Sequence, residues 1–173
     1  MRQAFCIALA FGLTLAAQDK SPIPAQAQRG RELFLKSSKG TVCATCHLLG
    51  GVGTAVGPDL TNMASYAPPR GFVSTMRMSM TEHVQEIKTT DGVFPGIEKQ
   101  KQGDDFEIWD LSQMPPALRK MTAKEIVSRN RDQKWKHPPA TVEYTSQELA
   151  DLVGFVKWAA TGSRKEIKPA DVE

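Results

Sequence analysis

Residues 43–47 read Cys43-Ala44-Thr45-Cys46-His47, and this run constrains the chain more than any other feature. It puts two thiols three positions apart on one tight turn, with an imidazole beside the second. A C-x-x-C pair can be a disulfide, a redox dithiol or half of a zinc site. A thioredoxin-like dithiol opens a helix within a βαβ unit, and no such pattern surrounds these residues. Zinc needs two more ligands at suitable spacing, and the chain has no second cysteine pair. The adjacent histidine gives the pair another use, because C-x-x-C-H is the attachment signature of c-type haem. Each thiol can form a thioether to a haem vinyl group, and the imidazole then lies under the iron as its proximal ligand. The spacing predicts one covalently bound haem c, with thioethers at Cys43 and Cys46 and His47 on the iron.

The front of the chain agrees with the place where such attachment is expected. Arg2 is followed by an apolar run from Phe5 to Leu15 and by Ala16-Ala17 before the polar Gln18-Asp19-Lys20, the layout of a secretory signal peptide. The run is too short for a bilayer, which needs about 20 apolar residues. Cys6 precedes the apolar run, so it does not fit a lipoprotein signal. Residues 1–17 are therefore expected to direct export to the periplasm, with cleavage near Ala16 or Ala17 and a second small-residue site at Ala25-Gln26-Ala27. No other segment is apolar enough to span a membrane, so none is expected in the mature chain. The formal net charge of the 173 residues is only +3, far below the excess that phosphate neutralisation requires, which excludes a dedicated nucleic-acid binder.

The flanks of the motif resemble the class I c-type cytochromes. Gly30 and Phe34 sit one turn apart on a helix predicted over about 24–36. In that family the corresponding face crosses the C-terminal helix closely, where a glycine leaves room. Gly57-Pro58-Asp59-Leu60 resembles the family's G-P-D-L segment, which makes the Pro58 carbonyl the expected acceptor for the other ring N–H of His47. Thr145 and Glu148 form a capping box, and apolar residues at helical spacing run from Leu149 to Ala160 before Gly162. Phe155 and Trp158 are the aromatic residues this last helix offers to Gly30 and Phe34. Residues 164–173 are charged and expected to fray.

The 97 residues between His47 and Thr145 are more than a minimal haem-wrapping chain needs. A short helix is predicted over about 70–80, with Phe72, Val73, Met76 and Met80 as its apolar stripe. Short strand-like runs follow, joined by the turn signals Asp91-Gly92 and Gln102-Gly103-Asp104. This segment, 84–128, reads as a small antiparallel meander, peripheral to ligation. From Arg119 to Lys136 the chain carries seven basic residues against two acidic ones, a solvated face or a patch around an exposed haem edge.

This layout narrows the resemblance to the bacterial haem-binding domain associated with quinoprotein-type dehydrogenases. The resemblance implies a mainly α protein, a cytochrome c fold with a small antiparallel β-meander inserted before the distal-ligand loop. The expected parts are an N-terminal extension over 18–27, the haem domain over 28–163 and a flexible tail over 164–173. A Met-Pro pair before the last helix supplies the sixth ligand in that family, but here the place reads Trp135-Lys136-His137-Pro138-Pro139. His137 is therefore the expected distal ligand, with Met114 of Met114-Pro115 as the alternative. The implied function is single-electron transfer between an exported redox partner, such as a periplasmic dehydrogenase, and a downstream acceptor. The chain is then a carrier and not an enzyme. The competing reading is a haem enzyme or gas sensor, peroxidase-like, with an open distal site.

Overall fold

Ala27, Gly30 and Phe34 recur at spacings of three and four, which aligns them on one helical face. In the computed structural model, which describes residues 22–78, 81–138 and 143–173, they are the buried face of α1 (Ala25–Lys36). That face meets the last helix, α4 (Ser146–Thr161), over most of its length. The helices cross at Gly30, where an added Cβ would lie 1.9 Å from the Asp151 carbonyl oxygen. Phe34 and Phe155 close the crossing with ring centres 5.6 Å apart. At its rim the Arg29 guanidinium grips the Asp151 carboxylate through Nε at 2.7 Å and Nη2 at 2.9 Å. The capping box opens α4 as expected, with Thr145 accepting from the Glu148 N–H, and Gly162 ends it in the left-handed region.

Two short helices, α2 (Leu60–Tyr66) and α3 (Pro69–Met76), complete the helical layer. Asp59 caps α2 by accepting from the Thr61 N–H. Lys157 of α4 donates to the Ala64 and Ala67 carbonyls at the other end of α2, where a helix leaves acceptors unpaired. Residues 164–173 differ from the expected flexible tail: Ile167 and Val172 are buried in the helical core. The Gln26 amide donates to the Ile167 carbonyl at 2.7 Å and accepts from its N–H at 2.9 Å, which docks the segment on α1. Of the N-terminal extension expected over 18–27, residues 18–21 lie outside the described residues and Ala25–Ala27 already belong to α1. The signal peptide expected at 1–17 and Met80 lie outside the described residues.

The middle of the chain overturns the mainly α expectation. Among the described residues, helical elements make up 34% and strands 25%. A two-residue hairpin, β1 (Leu48–Leu49) and β2 (Val52–Gly53), follows the cysteine motif. Then come β3 (Gln85–Thr89), β4 (Val93–Gln102), β5 (Asp105–Asp110), β6 (Ala117–Thr122) and β7 (Ile126–Arg131) in one antiparallel sheet of order β6-β5-β4-β3-β7. The sheet is not a simple meander ending near 128, because β7 crosses to pair with β3 and runs on to Arg131.

That order forces curvature. The edge strands β6 and β7 are joined by Ala123-Lys124-Glu125 alone. Such a link reaches at most about 14 Å, whereas the edges of a flat five-stranded sheet stand about 19 Å apart. The sheet therefore curls around Ile87, Phe94, Phe106 and Ile108, which form its own buried core. The basic run is part of this construction. The Arg119 and Arg129 guanidinium groups lie over the Phe94 and Phe106 rings at 4.4 and 4.7 Å, and pair with Asp110 and Glu98.

Two outcomes test this arrangement. Gly30→Ala drives a methyl into the α4 backbone, so urea denaturation should show a loss of at least about 1–3 kcal/mol. Burial pushes the Asp151 carboxyl up, but the Arg29 and Gln147 hydrogen bonds outweigh it and hold the group below its usual range. A lowered carboxylate pKa stabilises the fold above the unfolded value near about 4 and loses that contribution as pH falls through the folded value. Asp151→Asn should remove this part of the acid sensitivity in pH-dependent melting.

Candidate functional site

The cysteine motif folds as a single 3-10 turn, Cys43–Thr45, in which the His47 N–H donates to the Cys43 carbonyl at 2.9 Å. The following loop is zipped onto it. The Thr54 N–H donates to the Ala44 carbonyl at 3.0 Å, and the Val56 and Gly57 N–H groups donate to the Cys46 carbonyl at 3.1 and 2.7 Å. This brings Pro58 back to the histidine, and His47 Nδ1 lies 2.8 Å from the Pro58 carbonyl oxygen. A carbonyl can only accept, so Nδ1 carries the proton and Nε2 keeps its lone pair. Gly57 lies flat against the imidazole, where an added Cβ would sit 2.9 Å from Cε1. Burial holds the His47 pKa below its ordinary value; the Pro58 bond opposes this, and the nearby His137 adds to it.

His137 comes from the far end of the sheet region. Its ring centre is 5.9 Å from that of His47, with the planes inclined by 34°. Its Nδ1 lies 2.8 Å from the Pro138 carbonyl oxygen, so both imidazoles have one nitrogen tied by a proline carbonyl and Nε2 free. The Trp135 ring meets the His137 ring edge-on, with centres 6.2 Å apart and planes at 89°.

Cys43, Cys46, His47 and His137 line one cavity of about 630 Å³, within the roughly 300–1,000 Å³ of cofactor pockets. Val56, Met76, Val84, Leu111 and Trp135 supply apolar walls, and Glu82 and Arg131 are its charged groups, paired at 3.2 Å. Met114, the alternative ligand, also lines the cavity but is 46% exposed. His83 lines it as well. The sheet is not peripheral to this site. Ile97 and Trp109, paired across β4 and β5, face away from the sheet's own core and join Val56, Val84 and Leu111 in a cluster that touches Cys46 and Trp135. The Trp109 indole N–H donates to the Ala55 carbonyl at 3.1 Å. Of the seven basic residues read as a patch, Arg131 alone lines the cavity.

The donor chemistry separates the possible uses of the pair. Cys43 and Cys46 are free thiols, and burial pushes the Cys43 thiol up to about 11, opposite to the lowered value of a redox-active dithiol. Among the described residues no group of three or more His, Cys, Asp or Glu side chains could hold a metal ion, so a zinc site lacks its ligands. Two imidazoles holding one metal ion between them, with bonds of about 2 Å, place their ring centres about 6 Å apart, and the observed 5.9 Å fits that span. An apolar cavity lined by two thiols and by two imidazoles at that spacing would suit a haem, which Cys43, Cys46, His47 and His137 would hold.

The Gly57 contact gives this geometry a check independent of any cofactor. Gly57→Ala should displace the His47 ring from Pro58. Long-range proton–nitrogen spectra of the cofactor-free protein should then show His47 change from the pure Nδ1–H form to a mixture of tautomers. No protein-family model matches the chain, and no curated protein matches it.

Proposed function

We propose that the protein is an exported monohaem c-type electron carrier, with haem c joined through thioethers to Cys43 and Cys46 and six-coordinate iron between His47 and His137. The observation that carries this reading is the pair of imidazoles 5.9 Å apart in the cavity that both cysteines line. When bound, haem supplies a one-electron Fe(III)/Fe(II) couple. The chain supplies everything else. Nε2 of each histidine offers a lone pair, because the Pro58 and Pro138 carbonyls hold the Nδ1 protons. Val56, Val84 and Leu111 give the cavity an apolar wall, which lowers its dielectric. Two imidazoles leave no thioether sulfur on the metal, which favours a lower reduction potential than a His/Met pair.

A second imidazole close enough to His47 to share one metal ion supports a carrier over an enzyme or gas sensor, both of which need an open coordination place. The resemblance to the class I c-type cytochromes supports the same reading, and so does the leader layout of residues 1–17, which fits a periplasmic protein serving a redox partner such as a dehydrogenase. No helix among the described residues is long and apolar enough to cross a membrane.

Expression with a haem-attachment system should give a mature mass carrying one haem per chain that survives acid acetone. The double variant Cys43→Ala, Cys46→Ala should lose it. The oxidised and reduced spectra should be low-spin and unreactive toward carbon monoxide. His137→Ala should turn the iron high-spin and open it to carbon monoxide at neutral pH. A low-spin His137→Ala spectrum with a methionine-to-iron charge-transfer band would assign the distal place to Met114. A wild-type protein that is already high-spin and binds carbon monoxide would make it a haem enzyme or sensor instead.

A further inference from the structure

We infer that Trp109 and Trp135 are positioning residues through which the curled sheet sets both axial histidines, an inference that rests on the haem reading above. The two indoles share one apolar cluster with Ile97, Val84, Leu111 and Val56. From that cluster a separate path leads to each histidine.

The first path runs through a hydrogen bond. The Trp109 N–H holds the Ala55 carbonyl at 3.1 Å, joining positions 54 residues apart. Ala55 begins the short stretch whose next two members, Val56 and Gly57, donate to the Cys46 carbonyl. Gly57 lies against the His47 ring, and Pro58 accepts its Nδ1 proton. Ala55 is thus three residues from the acceptor that fixes the proximal tautomer. A drift of this stretch would lengthen the bond to Nδ1 and lower the basicity of Nε2. The second path runs through a ring contact. Trp135 belongs to the same cluster and meets His137 edge-on at 6.2 Å. Its own start is anchored by Asp132, which accepts from the Trp135 N–H at 2.9 Å and whose N–H donates to the Val84 carbonyl at 2.9 Å. Val84 in turn opens the sheet and lies 1% exposed in the cluster. The cluster on the face of the sheet turned away from its own core therefore reaches both the loop that holds His47 and the ring that meets His137.

Trp109→Phe removes the donor while keeping a smaller aromatic ring in the cluster. It should leave thermal stability and haem content near wild type. It should also raise the reduction potential, since a less basic imidazole stabilises Fe(III) less. Ligand exchange should become a few-fold easier, short of the roughly 10–100-fold effect of removing a direct outer-shell partner, as measured by cyanide titration. Trp135→Ala should raise the high-spin fraction, and Trp135→Phe should restore the low-spin spectrum because it keeps a ring edge against His137. Long-range proton–nitrogen spectra of the cofactor-free Trp109→Phe protein should show His47 losing its pure Nδ1–H form.

Haem-loaded Trp109→Phe and Trp135→Ala proteins with wild-type potentials, spectra and ligand exchange would overturn the inference while leaving the haem carrier intact. A wild-type chain that takes up no haem would overturn the carrier reading. In that event an unchanged His47 tautomer in cofactor-free Trp109→Phe would also remove Trp109 as a positioning residue. Should Trp109→Phe fail to fold, the Trp135→Ala and Trp135→Phe pair decides the inference.

Discussion

The close crossing of α1 and α4 is the constraint on which the remainder is built. Two helices can approach this closely only where one lacks a side chain, and Gly30 against the Asp151 carbonyl is that place. The crossing joins residues from opposite ends of the described chain, so everything between them must leave and return. The aromatic contact of Phe34 with Phe155 and the ion pair of Arg29 with Asp151 fix the crossing from its inner and outer sides. The Gln26 amide then uses the same helix to hold Ile167, which brings the last segment onto the core. Against this frame the cysteine turn, α2 and α3 form one side of a cavity, and the sheet forms the other.

The two sides differ in how they hold their histidine. On the first side the support is almost wholly backbone: the Cys46 carbonyl receives two N–H groups and the Pro58 carbonyl receives the ring. Backbone groups of a short, zipped loop have little freedom, so the hydrogen bond to the Pro58 carbonyl fixes the ring. On the second side a proline carbonyl again receives the ring, from the next residue in the chain, and the segment that carries both is held by side-chain packing, with Trp135 against His137 and the Trp109 cluster behind it. Packing is softer than a hydrogen-bonded loop. The imidazole tied by the loop belongs to the attachment motif, and the imidazole tied by packing is the one the proposed carrier would use to complete its coordination.

Elements announced by local chemistry were readable in the sequence. The capping box at Thr145, the stop at Gly162, the hairpin turn at Asp91-Gly92 and the Gly30-Phe34 face all depend on residues within one or two turns of each other. The pairing of His47 with Pro58 was carried by family resemblance, and the geometry agrees with it. What escaped was burial decided at long range. Strand β7 reads as a solvated basic run, but its Arg129 covers the Phe106 ring and meets Glu98 of β4. The tail looks frayed because few of its residues are apolar, and the hydrogen-bond partner of Ile167, Gln26, lies 141 residues away. The wall built from Val84, Ile97 and Leu111 had no motif at all; the alternation of β4 and β5 that produces it is visible only once the register is known.

The curled sheet has one more consequence, for how copies of the chain meet. A flat five-stranded sheet would offer two long rows of unpaired backbone N–H and C=O groups, each a template for a strand from another molecule. Here the turn at Ala123-Lys124-Glu125 draws β6 and β7 toward each other at one end, and both strands carry arginine or lysine along their length. An incoming strand would meet a narrowing gap and charged side chains instead of an open edge. The same curvature that brings Trp109 to the Ala55 loop thus guards the sheet against edge-to-edge aggregation.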